Sequence, residues 1–320
     1  MTDKLAIFSL PEDEQFARLV TTHIGIDLGM IVPRVFADGN WWVQYAQSIR
    51  GHDVYIIASL YGRPPGGIAI RFEHLKQLVR AAKLASCARI NVVCPYFECR
   101  GDFKDRPRVD IMARRWADEM NEAGISRLIT MELHSNPVVG FFAPTPVDHL
   151  YPSKTFQAHF TAKEISNLIV VAADAGGVKR VENYADYLDA KDIAIITKRR
   201  KQPNKVEHMR LTGDVEGKNC LIVEDVIDTA GTFELSVQKL KIAKAEKVYG
   251  FGIHPLFSDQ AVQRLQSCGL HQLIVTNTIP LAAKYDGIEV LDISEVFANA
   301  IIAAHNNQPI DELFLENKGK

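Results

Sequence analysis

Short apolar runs alternate along this chain with longer stretches whose apolar residues recur at helical spacing. Lys4–Leu10 reads as a strand, and Pro11–Thr22 follows as a helix with Phe16, Leu19 and Val20 on one face. Ser9 and Glu12 stand at capping-box spacing, and Gly25 and Gly29 punctuate the exit. Val35–Asn40 (VFADGN) predicts a turn, Trp41–Tyr45 a strand and Asp53–Ser59 a clearer one. Beyond the Gly/Pro-rich Gly62–Gly67 come a helix over Ala69–Ala85 and a strand over Ile90–Tyr96. Cys99–Arg115 is polar, rich in Arg and Asp, and reads as an exposed loop running into a helix over Ile111–Ala123. Further strands are expected at Leu128–Leu133, Leu168–Ala172, Ile193–Thr197 and Cys220–Val223, the last leading through a tight turn to a helix over Phe233–Ala243.

Strands alternating with helices across short turns predict parallel α/β layers. Asp53–Tyr96 and Asn219–His254 repeat one order, strand, small-residue loop, helix, Ala-rich exit and strand, which predicts two related halves. The expected organisation is a first domain over residues 1–150, a second over 151–305, and a tail over 306–320 that packs back on the first. The Pro-rich Pro144–Pro152 marks the crossing between them.

Four of the strands deliver polar residues at their carboxyl ends, where α/β sheets place their ligands. These are His134, Asp174, the run Lys198-Arg199-Arg200-Lys201, and the pair Glu224–Asp225. The last pair opens Asp228-Thr229-Ala230-Gly231-Thr232, a small-residue turn ahead of a helix. Amides of such a turn and the positive end of the helix dipole suit an anion. Without Gly-Lys-Ser/Thr the turn is not a nucleotide P-loop. Flanking carboxylates accept hydrogen bonds from hydroxyls, so amides, Thr hydroxyls and acids together suit a phosphorylated sugar. An ordinary acidic loop before a well-capped helix is the plainer alternative. Taken singly, His134 fits a core histidine, Phe36 a core aromatic, and the Lys198 run a solvated or nucleic-acid-binding patch.

Composition narrows the field. At 320 residues, with 47% apolar and 24% charged residues, the chain has enough apolar content for cores of about two ordinary domains. A net charge of −2 provides no global attraction to nucleic acid or an acidic membrane. The amino terminus lacks a basic and then apolar leader, and no apolar run approaches a membrane span. Five cysteines at scattered spacings fit a reducing compartment, so a cytoplasmic location is expected. Cys94 and Cys99 lack zinc-site spacing and read as free thiols.

The chain resembles the ribose-phosphate diphosphokinase (PRPP synthetase) family over nearly its whole length. The matching motifs are VFADGN (Val35–Asn40), INVVCPY (Ile90–Tyr96), MELHSNPVVGFF (Met131–Phe142) and VDHL (Val147–Leu150). They continue with ADAGGVKR (Ala173–Arg180), ITKRRKQPN (Ile196–Asn204), GDVEGKNCLIVEDVIDTAGT (Gly213–Thr232) and VTNTIP (Val275–Pro280). A phosphoribosyltransferase, which consumes PRPP, would share the Asp228–Thr232 turn but not the His134 and Lys198–Asn204 segments. A non-catalytic, synthetase-associated regulatory subunit should show damage in the catalytic or sugar-phosphate loop, and neither loop is damaged.

The resemblance implies two tandem phosphoribosyltransferase-like, Rossmann-type domains with mainly parallel sheets flanked by helices. It implies transfer of diphosphate from ATP to the anomeric hydroxyl of ribose 5-phosphate, with Mg²⁺ as cofactor. By motif position, His134 and Asp174 hold the Mg²⁺–nucleotide, and Lys198 is the main catalytic cation with Arg200 as its phosphate-site partner, in a loop that closes over the substrates. Glu224, Asp225, Asp228, Thr229, Ala230, Gly231 and Thr232 grip ribose 5-phosphate. Phe36, Asp38, Asn40, Arg100, Gly101 and Asp102 fall at the nucleotide site, with residues 99–115 as a regulatory-type covering loop. Family members assemble as hexamers of dimers, in which the Phe36 turn reaches a neighbour's nucleotide.

Departures cluster on the nucleotide side. Asn40 stands where the family usually has Glu, Gly101 where it has Gln, Phe103 where it has a basic residue, and Val109–Asp110 where it has a Glu-Pro pair or similar. Glu224 replaces Asp conservatively. An active but divergent synthetase is therefore expected, its recognition of the base altered so that adenine preference is relaxed or another base is favoured (ATP or another nucleoside triphosphate), and the ADP/phosphate response is put in doubt.

Overall fold

A computed structural model describes residues 4–62, 67–97, 107–202 and 205–313, with side chains of 198–208 outside the description. The chain folds as two compact units. Of the described residues, the first comprises those within 4–151, 278–280 and 293–313, and the second those within 152–277 and 281–292.

In the first unit, strands β1 (Lys4–Ser9), β4 (His52–Ile57), β5 (Arg89–Cys94), β6 (Arg127–Met131) and β7 (Val147–Leu150) form one all-parallel sheet in that spatial order. An exposed antiparallel hairpin, β2 (Ile31–Val35) with β3 (Trp41–Tyr45), lies between β1 and β4 in sequence. The helices are α1 (Glu14–Ile24), α2 (Gly67–Leu84), α3 (Met112–Ala123) and the short α4 (Val138–Phe141). Central strands such as β4 and β5 are buried at five of their six positions because parallel sheets are covered on both faces. Phe8, Val54, Ile56 and Val92 pack toward Phe72 and Leu75 of α2 and Trp116 of α3, with Trp116 stacked on Phe72 at 4.7 Å between centroids. Ile7, Tyr55, Ile57 and Val93, one residue out of phase, are equally buried on the opposite face.

The expected capping box at Ser9 and Glu12 is not formed. Ser9 belongs to β1, and the chain enters α1 through a 3₁₀ turn, Pro11–Asp13, without a side-chain cap. Proline at the start of that turn presets φ and needs no donor, which makes the entry workable without a cap. Gly25 closes α1 in the left-handed region at φ 80°. Gly29 has a different reason: a Cβ there would stand 2.2 Å from the Phe8 ring.

In the second unit a seven-stranded sheet runs β10–β9–β8–β11–β12–β13–β14. Its strands are β8 (Leu168–Ala172), β9 (Ile193–Gln202), β10 (Lys205–Thr212), β11 (Asn219–Ile227), β12 (Lys247–Pro255), β13 (Gln272–Thr276) and β14 (Ile288–Leu291). All pairs are parallel except β9 with β10. Helices α7 (Gly231–Ile242) and α8 (Ala261–Ser267) contribute Phe233, Val237, Leu240 and Leu265 to the core on one face. On the other face α5 (Ser153–Thr161) and α6 (Val178–Tyr187) bring Phe156 and Tyr184 onto Phe251, the Phe156 and Phe251 rings stacked at 3.8 Å. Chain order reverses direction at β8: β9 lies on one side and β11 on the other. Such a reversal opens a crevice at the strands' carboxyl ends.

The first division falls between Tyr151 and Pro152, at the end of the Pro-rich segment. Helix α9 (Ser294–His305), expected within the second domain, is instead grouped with the first unit, where Phe297 meets Phe16 of α1 edge-on at 5.6 Å. Its mean hydropathy is high and seven of its residues are buried, so it needs an apolar partner surface. Residues 306–313 follow it into the first unit. Strands β2, β7, β10, β13 and β14 and helices α4, α5, α8 and α9 are elements that the periodicity leaves unassigned.

Candidate active site

The reversal point of the second sheet gathers most of the expected sugar-phosphate residues. Strand β11 pairs with β8 only as far as Ile222, opposite Val171, and then continues to Ile227 against β12 alone. Glu224 and Asp225 therefore lie within the strand, beyond the end of β8. Asp225 is buried, and Arg180 from the first turns of α6 approaches its Oδ2 at 3.1 Å. Its other oxygen, Oδ1, accepts the N–H of Val226 at 2.9 Å. Glu224 is half-buried.

Asp174 follows β8 on the same edge and is exposed. Its Oδ1 accepts the Gly177 N–H at 3.0 Å, which fixes the Ala175–Gly177 turn before α6. One carboxylate oxygen is thus engaged locally while the residue stays open to solvent. A single exposed carboxylate matches Mg²⁺, which keeps several waters and takes one or two carboxylates plus phosphate oxygens. Among the described residues no group of three or more His, Cys, Asp or Glu is arranged to hold a metal.

The loop Asp228–Ala230 carries the chain into α7. Ala230 is its N-cap, at φ 58°, a left-handed conformation uncommon for a residue with a Cβ. The loop's carbonyls face one neighbouring segment. Ile227 O accepts from Phe257 N at 3.0 Å, Asp228 O from Ser258 N at 3.1 Å, and Thr229 O from Arg264 Nη1 at 2.6 Å. Gly231 and Thr232 begin α7, whose first N–H groups lack partners inside the helix. Close seating of this loop depends on β12: a Cβ at Gly252 would stand 2.3 Å from Ile227 Cδ1, and one at Gly250 2.5 Å from Phe233 Cζ.

Lys198 and Arg200 lie in β9, which continues past Ile195, its last residue paired with β8 (opposite Ala172), toward the edge that carries Asp174. The sequence predicts a loop here. The backbone is instead a strand paired antiparallel with β10, with Lys198 opposite Met209 and Arg200 opposite Val206. The pairing residues of β10, Lys205–Thr212, supply the hydrogen-bonding partner that β9 lacks in β8, and so extend the strand. The side chains of Lys198 and Arg200 lie outside the described residues.

The remaining expected residues belong to the first unit. Phe36, Asp38 and Asn40 form the exposed tip of the β2–β3 hairpin, with Phe36 52% exposed. Asp38 Oδ1 accepts the Asn40 N–H at 3.0 Å, and Asn40 O accepts the Phe36 N–H at 2.8 Å. His134 follows β6 and is exposed. The backbone just before it is unusual: Glu132 has φ 40°, and the Leu133 N–H donates to His149 Nε2 at 2.8 Å. Burial pushes His149 down to about 4, so the ring is neutral and its Nδ1 faces the Tyr151 hydroxyl at 3.1 Å. Arg100, Gly101 and Asp102 lie outside the described residues. Sequence reasoning missed Arg180, Arg264 and His149 as site-supporting groups. Arg180 and His149 stand inside family motifs, but a residue that acts through a neighbour gives no separate signal, and Arg264 lies in no motif.

Comparison with known proteins agrees over both units. Residues 5–124 match the family described as the N-terminal domain of ribose phosphate pyrophosphokinase, and residues 200–315 the phosphoribosyl synthetase-associated domain. Ribose-phosphate pyrophosphokinase 1 of Listeria monocytogenes is 38% identical over 315 residues, 97% of each chain. The ribose-phosphate pyrophosphokinase of Wolinella succinogenes is 36% identical over 310 residues, 97% of this chain and 98% of that one. Among solved structures, phosphoribosylpyrophosphate synthetase from Mycobacterium smegmatis superposes with a TM-score of 0.89 at 31% identity, covering 95% of this chain and all of the other. With full-length identity at this level and the same fold, the chain belongs to the ribose-phosphate pyrophosphokinase family.

Proposed function

We propose that the protein transfers the diphosphate group of ATP to the anomeric hydroxyl of ribose 5-phosphate, giving PRPP and AMP. The observation that carries this reading is the reversal point of the second sheet, where Asp174, Glu224, Asp225 and the Asp228–Thr232 turn share one edge. In this reading Glu224 and Asp225 accept from the ribose hydroxyls, and the amides and hydroxyls of Asp228–Thr232 hold the 5-phosphate at the positive end of α7. Lys198 and Arg200 supply positive charge to the diphosphate as it passes between oxygens, where fixed cations lower the barrier most. Asp174 and His134 hold the metal–nucleotide. Mg²⁺, when bound, neutralises charge on the transferring phosphates. The exposed Asp174 carboxylate suits that ion, and the His134 assignment rests on its motif.

Phe36 stacks on the base, with Asp38 and Asn40 beside it and Arg100, Gly101 and Asp102 completing the nucleotide contacts. Exposed Met30, Val35, Phe36 and Trp42 on and beside the hairpin support a second copy of the chain covering this surface, and a hexamer of dimers is the proposed assembly. Among the described residues no helix is long and apolar enough to cross a membrane, and Cys94, Cys220 and Cys268 are buried free thiols, which supports a cytoplasmic enzyme.

The decisive measurement is AMP formation from ATP that requires both ribose 5-phosphate and Mg²⁺. Lys198→Ala is expected to lower kcat by about 10²–10³, the scale of one lost electrostatic stabiliser. A non-catalytic associated subunit would yield no AMP, and a phosphoribosyltransferase would consume PRPP instead. A second reading concerns the base. Asn40 sits on the exposed hairpin tip with an amide that both donates and accepts, unlike a carboxylate. Rates with ATP, GTP, CTP and UTP test it, and strong selectivity for ATP would refute it.

A further inference from the structure

Three consecutive carbonyls of the phosphate loop are bonded from one side. Phe257 N, Ser258 N and Arg264 Nη1 take Ile227 O, Asp228 O and Thr229 O in turn. In a trans peptide the N–H points opposite to the C=O. Fixing those three carbonyls against residues 257–264 therefore turns the N–H groups of Asp228, Thr229 and Ala230 the other way. Successive N–H groups presented together form an anion-binding concavity, and α7 begins immediately after them.

Arg264 is the charged member of this backing. Its contact with Thr229 O, at 2.6 Å, is short and charge-assisted, the stronger kind of hydrogen bond. Thr229 precedes Ala230, whose left-handed φ of 58° must be maintained by its surroundings. The guanidinium also lies beneath the start of α7: a Cβ on Gly231 would be 3.8 Å from Nη1. Glu234 Oε2, in the first turn of α7, stands 3.9 Å from Arg264 Nε and offsets part of that charge. Arg264 itself is 35% exposed, so its charge is not required to close a hydrophobic core.

We infer that Arg264 is a positioning residue for the 5-phosphate of the sugar substrate: it holds the Thr229 carbonyl back, aims the Ala230 N–H at the anion, and places a positive charge behind the cradle. This inference rests on the synthetase reading above. It assigns Arg264 a part in affinity for the sugar phosphate, with no contact to the transferring group.

The test uses the full-length enzyme with Arg264→Met, Arg264→Lys and Glu234→Gln. Steady-state kinetics are combined with calorimetric binding of ribose 5-phosphate in the absence of nucleotide. Arg264→Met is expected to raise both KM and Kd for ribose 5-phosphate about tenfold or more, the scale of a lost charged hydrogen bond, with kcat and the KM for ATP little changed. Arg264→Lys keeps the charge and one donor, so it should recover most of that loss. Glu234→Gln removes an offsetting carboxylate and should tighten ribose 5-phosphate binding by about twofold, the scale of a charge near a helix end. If Arg264→Met does not fold, the Glu234→Gln result decides. Unchanged ribose 5-phosphate affinity in the Met variant, equal loss in Met and Lys variants, or a fall confined to kcat overturns the inference. A wild-type enzyme that forms no AMP overturns the synthetase reading instead, and the two failures are separately visible.

Discussion

The two units each contain a strand, a loop and a helix in the same order, and they treat the end of the strand in opposite ways. Beyond β4 the chain is closed on itself. Arg71 of α2 donates through Nε to Ser59 O at 2.9 Å, pairs with Asp13 at 2.5 Å, and lies over the Tyr61 ring at 4.1 Å. Ser59, Asp13, Arg71 and Tyr61 are all buried. Beyond β11, Asp225 has its own arginine, but Asp174 and Thr229 remain exposed and Glu224, Asp228, Gly231 and Thr232 only half-buried. One βα end is filled by its own cation, and the other, the end proposed to take the sugar phosphate, stays open to solvent. Burying an ion pair contributes little net stability, whereas removing one member leaves an uncompensated charge. The filled end is therefore fragile in stability and the open end fragile in activity.

Substitution at each end separates these two costs. Arg71→Met should destabilise the fold by about 3–5 kcal/mol, the scale for breaking a buried pair. Burial raises Asp13 to about 7 despite the pull of Arg71. A carboxyl raised above its ordinary value contributes stability that is full at low pH and lost as pH rises through about 7. Arg71→Met should thus cost more at pH 8, where Asp13 is ionised, than at pH 5, as urea unfolding at the two pH values would show. The KM for ribose 5-phosphate of the folded fraction should stay within about twofold, because the cluster packs inside its own unit. Equal cost at both pH values would break the account of the filled end.

The next effect comes from the open end. Asp225→Asn keeps the shape but weakens the hold on Arg180 and turns one acceptor into a donor. It should lower kcat/KM by about 10²–10³ while costing less stability than Arg71→Met, since truncating a hydrogen-bonded charge pair at a binding site costs about 2–5 kcal/mol of binding. A large fall in unfolding stability with activity retained would reverse the comparison.

Periodicity reveals much of this architecture because the parallel strands are buried on both faces. Val54–Ile57 and Cys220–Val223 are unbroken apolar runs that only a covered sheet accommodates. Motif chemistry likewise marks Asp174, Glu224, Asp225 and Asp228–Thr232, which the second sheet brings to one edge. What stays hidden depends on partners distant in sequence. Strand β10 is polar and becomes a strand by pairing with β9. Arg264 matters through the carbonyl of Thr229, 35 residues away. Helix α9 is hydrophobic enough to be read as buried, but its sequence does not say against which unit, and Phe16 of α1 decides that. The Asp13–Arg71 closure is equally silent, since an acid in a turn and an arginine on a helix ordinarily face water.

The first unit is not closed everywhere, and its open segment beyond β6 sharpens the contrast by a smaller effect. His149 on β7 holds the chain just before His134, accepting the Leu133 N–H on Nε2 and facing Tyr151 through Nδ1. Burial lowers its pKa to about 4 from 6.5, and a proton on Nε2 would set two N–H groups against each other. A base lowered in the folded state contributes stability that is present above about 6.5 and lost as pH falls toward 4, because the unfolded chain takes the proton first. The expected contribution is on the order of 1–2 kcal/mol, less than the full shift implies because the ring is only half-buried by exposed area. His149→Gln retains an acceptor without titrating, so the difference between variant and wild-type unfolding curves should narrow by that amount between pH 6.5 and pH 4. His149→Phe, which removes the acceptor, should lose stability at every pH and lower the affinity for Mg²⁺–ATP with no change in the KM for ribose 5-phosphate. If His149→Phe instead raises the KM for ribose 5-phosphate, the segment before His134 serves the sugar side, and the division of labour between the two strand ends is wrong.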